Sequence, residues 1–356
     1  MKKTFFTVGP SQTHPKLAAL MREAFKKDIP SISHRGAEFQ SLFAETIRSL
    51  KTLLNIPEDF HIFFLSSGTE GMERVLENCA GRKSFHLVNG SFGKRFYTAA
   101  VELKKEPEKI EASAGEGFDL RGIELPKGIE LVCITQNDTS TGVMLSAKDI
   151  HGFKERYPDA LFALDLVSSV PYADVDFSLI DCAFFSVQKG FGLPAGLGVL
   201  LLNERCVEKA ERLQEEGLNI GTYHSVPTLL KFAQKNQTPE TPNVLAIYLL
   251  NEVSKLLHAY GIENIRKETE QKAKLLYDFF DRHGAFSPFV KNPLWRSPTT
   301  LAIETPAGSS EVRKRLARAG CVVGAGYGEF KERQIRIANF PSHTIDDVKR
   351  LILALE

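Results

Sequence analysis

The chain has no surplus of either charge: 45 Lys and Arg stand against 44 Asp and Glu in 356 residues, a formal net charge of +1. A chain so balanced has no long-range field to draw nucleic acid or an anionic membrane surface, so neither partner is expected. It has no apolar run of about 18 residues and no signal-peptide core after Met1-Lys2-Lys3, which argues against a membrane span or export. Its nine histidines include no His-x-His and no His-Glu-x-x-His, the spacings that turn two imidazoles toward one ion, and no metal site is expected. The five cysteines (Cys79, Cys133, Cys182, Cys206, Cys321) are odd in number and scattered, without Cys-x-x-Cys, and several sit in apolar runs. That is the usage of buried free thiols in a reducing cytoplasm. What remains is an ordinary globular chain, 43% hydrophobic and 25% charged, long enough for two domains with proper cores.

Chemistry concentrates between Leu164 and Leu202. Leu164-Asp165-Leu166-Val167-Ser168-Ser169 closes one short buried strand, and Cys182-Ala183-Phe184-Phe185 leads a second into Ser186-Val187-Gln188-Lys189-Gly190. Both run out where open α/β sheets place their ligands. Pyridoxal phosphate chemistry needs such a pair: a lysine amine forms a Schiff base with the cofactor aldehyde, and a carboxylate opposite keeps the pyridine nitrogen protonated. Lys189 and Asp165 fit these roles, although an Asp at a strand end and a Lys in a Gly-rich loop also occur in α/β enzymes without that chemistry. Upstream, the strand His61–Leu65 runs into Ser66-Ser67-Gly68-Thr69-Glu70-Gly71 at the head of a helix. Small residues at such a turn let backbone N–H groups approach an anion, so Ser67, Gly68 and Thr69 are candidates for a phosphate cradle; a plain N-cap reads equally well. The adjacent His34 and Arg35, before an amphipathic helix, can bind a phosphate or carboxylate, or merely start that helix in solvent. Arg336 alternates with Ile335 and Ile337, and so projects from the opposite face of its strand.

Asp165-Leu166-Val167-Ser168-Ser169, Ser186-Val187-Gln188-Lys189-Gly190 and Pro194-Ala195-Gly196-Leu197-Gly198 together resemble the class V aminotransferases of the fold-type-I pyridoxal-phosphate superfamily. Within that class the chain is most similar to the phosphoserine aminotransferases, with the alanine–glyoxylate and serine–pyruvate enzymes next. The resemblance covers nearly the whole chain. It implies an α/β fold with a large, mainly parallel sheet domain and a smaller C-terminal α/β domain, pyridoxal 5′-phosphate as cofactor, and ping-pong transamination through Lys189. By the same resemblance, Gly9 of the Gly9-Pro10 turn lines the substrate site and Ile32-Ser33-His34-Arg35 helps hold a substrate phosphate. Phe92 stacks on the cofactor ring, Thr139 and Ser168 supply hydroxyl contacts, and Gln188 lies near the phosphate or ring. Arg336 clamps the substrate carboxylate. A segment ending Pro239-Glu240-Thr241-Pro242 crosses to a second subunit, where Thr241 touches the cofactor phosphate. That implies a homodimer with shared sites.

Four positions depart from the phosphoserine pattern: Thr69 stands where some members have Arg, Phe92 where Trp is usual, and Glu240 where Asn is found. The fourth is Gly324-Ala325-Gly326-Tyr327-Gly328, which lacks a second His-Arg pair. A carboxylate at 240 is expected to repel a neighbouring phosphate. Alanine–glyoxylate or serine–pyruvate specificity is therefore the alternative. A desulfurase-like lyase is disfavoured by Gln188, where those enzymes carry His, and a non-catalytic cofactor-binding protein is the third possibility. The expected division is 16–245 for the large domain, and 1–15 with 246–356 for the small one. The polar stretch Lys104–Gly128 reads as a hairpin or exposed excursion.

Overall fold

The computed structural model describes residues 3–305 and 308–356; Met1 and Lys2, at the head of the expected N-terminal arm, lie outside the described residues. The β-prone runs form one seven-stranded sheet in the order His61–Leu65, Gly198–Leu202, Cys182–Ser186, Leu161–Asp165, Leu131–Thr135, Lys83–Val88, Glu106–Glu111. Four of its six pairings are parallel, and Gly198–Leu202 runs against both neighbours. Successive strand side chains point to opposite faces. Ile62, Phe64, Val199 and Leu201 accordingly enter the core on one side, and Phe63, Leu65, Leu200 and Leu202 the core on the other. Helices Ala37–Leu54, Ala147–Arg156 and Val244–Tyr260 cover the first face, and Gly68–Cys79, Ser91–Glu102 and Glu204–Glu215 the second. A strand buried on both faces reads as an unbroken apolar run, which is why these strands stand out in the sequence.

The segment expected as a hairpin or exposed excursion instead places Glu106–Glu111 in parallel register beside Lys83–Val88, as the outer strand of the sheet. Its residues Glu-Pro-Glu-Lys-Ile-Glu are almost all exposed. Proline and charge are what an edge strand tolerates and an inner strand does not, so its apolar signal is missing.

A second sheet has the order Thr4–Phe6, Cys321–Ala325, Gln334–Ala338, Thr300–Glu304, Ser287–Pro288. Thr4–Phe6 pairs in parallel with the strand beginning at Cys321, so this N-terminal strand is built into the sheet formed by C-terminal residues. Leu276 and Phe280 of helix Ile262–Arg282 join Val312, Leu316, Val348 and Leu351 beneath this sheet, while Ile247, Leu250 and Val253 of the preceding helix belong to the large core. Among the described residues, no helix is long and apolar enough to cross a membrane. Three neighbouring parallel strands of the large sheet end at Thr135, Asp165 and Ser186. Their C-terminal ends open toward the small sheet, and the cavity described next lies there.

Candidate active site

A cavity of about 250 Å³ is lined by Gly9, Ser67, Gly68, Thr69, Phe92, Thr139, Asp165, Gln188, Lys189 and Arg336, together with Ser186 and Tyr327. Lys189 is buried. Its Nζ donates to Thr139 Oγ1 at 2.8 Å, Thr139 Oγ1 donates to Ser168 Oγ at 2.8 Å, and Ser168 Oγ donates to the Asn137 carbonyl at 2.7 Å. Each hydroxyl spends its proton on the next acceptor, so Thr139 turns a lone pair toward the amine. Burial pulls that amine down to about 8; Asp165 opposes the shift and the Arg336 guanidinium adds to it. About a tenth of the amine is therefore neutral at pH 7.

The turn carrying Thr139 is fixed by its neighbour. The Asp138 carboxylate accepts from the N–H groups of Phe92 at 2.9 Å, Gly93 at 3.0 Å and Ser140 at 2.9 Å, which caps the helix Ser91–Glu102. A Cβ on Gly90 would lie 2.3 Å from the Asp138 carboxyl carbon, so this closeness requires glycine. The same cap sets Phe92, whose ring centroid is 5.2 Å from Lys189 Nζ and 5.6 Å from the Tyr327 ring.

Asp165 is buried and receives the Val167 N–H at 2.9 Å. Burial raises its carboxyl to about 6, with the Val167 bond and Lys189 working the other way. A buried carboxylate served by one backbone donor has acceptor capacity left for a cationic N–H, and a pyridinium nitrogen supplies one. At the opposite wall, Ser67 caps the helix Gly68–Cys79 through Glu70 N at 3.1 Å, and Gly68 N donates to Ser186 Oγ at 2.7 Å. An amine, a carboxylate and a helix N-terminus around one cavity suit the aldehyde, ring nitrogen and phosphate of the cofactor that the resemblance implies.

Arg336 reaches the cavity from the small sheet. Its Nε donates to the Ala325 carbonyl at 2.8 Å and its Nη1 to the Thr139 carbonyl at 3.0 Å, and its guanidinium lies 5.3 Å from the Tyr327 ring centroid. Two of its five N–H groups are used this way, which fixes the plane and leaves donors for a carboxylate. Gly9 has φ +142°, and a Cβ there would meet Lys189 Cε at 2.9 Å. Glycine thus lets the N-terminal arm lie against the lysine.

Not every expected residue meets the cavity. Ser168 stands behind Thr139 and acts on it by the hydrogen bond above. Thr241 is exposed and His34 half-buried, and neither lines the cavity within one chain. Arg35 is engaged elsewhere: Nη1 donates to Gln237 Oε1 at 3.0 Å and the Thr238 carbonyl at 2.6 Å, Nη2 to the Pro239 carbonyl at 2.9 Å, and the guanidinium covers the Phe232 ring at 4.8 Å. The sequence reading passed over Ser186 and Tyr327. Ser186 could have been found, since it ends the strand before Lys189. Tyr327 follows Gly326 in a loop whose sequence carries no chemical signal. Also passed over was His224, whose Nδ1 meets Glu70 Oε1 and whose Nε2 lies 2.9 Å from Glu240 Oε2.

Residues 4–329 match the family Aminotransferase class-V. A phosphoserine aminotransferase of Cytophaga hutchinsonii with a crystal structure is 45% identical and superposes with a TM-score of 0.97, covering 99% of this chain and 98% of that one. An aminotransferase of Methanocaldococcus jannaschii, itself uncharacterized, is 30% identical over 92% of this chain and 84% of its own. The phosphoserine aminotransferase of Rhodococcus opacus is 25% identical over 99% and 94%.

Proposed function

The chain belongs to the aminotransferase class-V family, and from that premise we propose that this pyridoxal-phosphate-dependent transaminase exchanges the amino group of phosphoserine with 2-oxoglutarate. The observation that carries the chemistry is the buried Lys189, held on the Thr139–Ser168 relay across a cavity from the buried Asp165. The substrate comes from the relatives: proteins named phosphoserine aminotransferase match along nearly the whole length, one of them at 45% identity.

The bound cofactor supplies an electron sink for the substrate carbanion. Ser67, Gly68 and Thr69 would hold its phosphate, Phe92 its ring face, and Asp165 its ring nitrogen as a charged N–H. With its amine free, Lys189 would accept the proton from the substrate α-carbon as general base and deliver it to the cofactor carbon that carried the aldehyde. Its depressed basicity suits that role, because an amine at about 8 has a neutral fraction to accept with and still holds a proton well enough to give it back. Arg336 would clamp the α-carboxylate, with the Tyr327 ring stacked against its guanidinium.

Phosphoserine brings a second anion. Among the described residues lining the cavity, Lys189 and Arg336 are the cations, and both have assigned work. The active form in this reading is a homodimer, in which the His34-Arg35 segment of a second copy and Thr241 complete the site. A reducing cytoplasm fits the five free, buried cysteines.

The test is a half-reaction. Cofactor-loaded protein is mixed separately with phosphoserine, glutamate, alanine and serine, and bleaching of its visible absorbance is followed. Fast, saturable bleaching by phosphoserine and glutamate is expected. Bleaching by alanine or serine with phosphoserine inert would transfer the chain to the alanine–glyoxylate or serine–pyruvate class, and no bleaching by any amino acid would remove the transaminase assignment.

A further inference from the structure

His224 and the two carboxylates around it take no part in the chemistry above, yet they adjoin the helix that begins at Gly68. Glu70 lies in that helix's first turn. Its Oε2 accepts from Ser66 N at 2.8 Å and Ser66 Oγ at 2.6 Å, and its backbone N–H donates to Ser67 Oγ at 3.1 Å. Its other oxygen, Oε1, meets His224 Nδ1, and the far ring nitrogen Nε2 lies 2.9 Å from Glu240 Oε2. The imidazole is 4% exposed.

A neutral imidazole has one N–H and one lone pair, and here the lone pair would face a carboxylate oxygen. With an acceptor at each nitrogen, only the doubly protonated ring satisfies both contacts. We infer that His224 is a clamp charged at neutral pH, a positioning residue whose single positive charge is shared by Glu70 and Glu240 near the phosphate end of the cavity and which ties the stretches around 224 and 240 to the phosphate cradle. This rests on the reading of Ser67–Thr69 as that cradle. Without the clamp, the excess negative charge near a bound dianion would rise from one to two, with one of the carboxylates in the turn that forms the cradle. The carboxylate at position 240, expected from the sequence to repel a phosphate, is thereby given a partner.

Burial works against the charge, but the bonds to Glu240 and Glu70 outweigh it and hold His224 at about 9. The same contacts and the Ser66 bonds, against burial, hold Glu70 at about 2. The triad therefore keeps one cation and one of its carboxylates ionised throughout the neutral range.

The experiment compares binding of pyridoxamine 5′-phosphate and of pyridoxamine to cofactor-stripped protein by calorimetry. Neither ligand has an aldehyde, so neither bonds to Lys189. His224→Gln removes the charge and is expected to weaken the phosphorylated ligand roughly tenfold, the effect of about one pKa unit of lost interaction, while leaving the unphosphorylated ligand unchanged. Adding Glu240→Gln should restore most of the loss, a rescue that a merely structural histidine would not show. Glu240→Gln alone, which leaves the Glu70–His224 pair intact, should tighten the phosphorylated ligand several-fold and serves if the histidine variant fails to fold. Equal weakening of both ligands in His224→Gln, or weakening of the phosphorylated one by Glu240→Gln alone, overturns the clamp. If wild-type protein prefers neither ligand, the cradle assignment falls and the clamp with it.

Discussion

Asp165→Asn is expected to make the cofactor-free protein more stable while removing its activity. The carboxyl is 5% exposed, and burial holds it at about 6 against an ordinary 3.8. At neutral pH that displacement amounts to about 3 kcal/mol against the ionised form. The sign follows from proton counts: between about pH 4 and pH 6 the folded protein keeps a proton that the unfolded chain gives up, so stability falls as pH rises through that window and stays lower above it. Asparagine retains an oxygen for the Val167 N–H, bonded at 2.9 Å in the wild type, and carries no charge to bury. Against this, Lys189 loses its opposing charge; its amine, already pulled down to about 8 by burial, then sheds its proton more readily. The net gain is about 1–3 kcal/mol near pH 7, closing toward zero at about pH 4. Urea unfolding of stripped wild type and variant across that range measures it. With cofactor bound the order should reverse, because the carboxylate then has its cationic partner, and turnover should fall at least about a hundredfold. A variant less stable than wild type at neutral pH, or a gap that ignores pH, refutes the argument.

Asp181→Ala should be among the most destabilising single changes in the large domain. That carboxylate is 1% exposed and accepts from Lys154 Nζ at 2.7 Å, Arg205 Nη1 at 2.7 Å, Phe162 N at 2.8 Å and Asn203 Nδ2 at 3.1 Å. Removing it strands a buried lysine, at a cost of about 3–5 kcal/mol; denaturant unfolding showing a loss below about 1 kcal/mol would contradict the network reading. Arg336→Lys should raise KM for the amino and keto acids roughly tenfold or more with a smaller change in kcat, because lysine cannot hold the Ala325 and Thr139 carbonyls and a carboxylate together. Steady-state kinetics with unchanged KM would show that Arg336 does not meet the substrate carboxylate.

The fold was legible wherever burial is two-sided. Leu161–Asp165 and Cys182–Ser186 are apolar throughout because both faces are covered, and each ends in the polar residues that meet the cavity, so strand and site announce each other along the chain. Glu106–Glu111 escaped because its exposed residues show no apolar face, although it pairs in parallel register with Lys83–Val88. The same division runs through the site. Asp165, Thr139 and Lys189 follow strands that the sheet sets side by side, so their convergence is implied by topology. Glu70 sits in a helix start, and His224 and Glu240 in the irregular stretches on either side of helix Val226–Ala233, and each alone reads as a surface polar residue. Only the fold brings one imidazole between two carboxylates, 154 positions from one and 16 from the other. Arg35 shows the opposite limit: its residue type suits an anion, while within one chain three oxygens of the 237–239 turn accept from its guanidinium. A motif identifies the residue types a reaction needs, whereas the charge each one carries, and whether it is free to use it, depends on partners that the motif does not contain. Glu240 makes the case most sharply, since the substitution that argued against a nearby phosphate places its carboxylate 2.9 Å from an imidazole nitrogen that the motif does not contain.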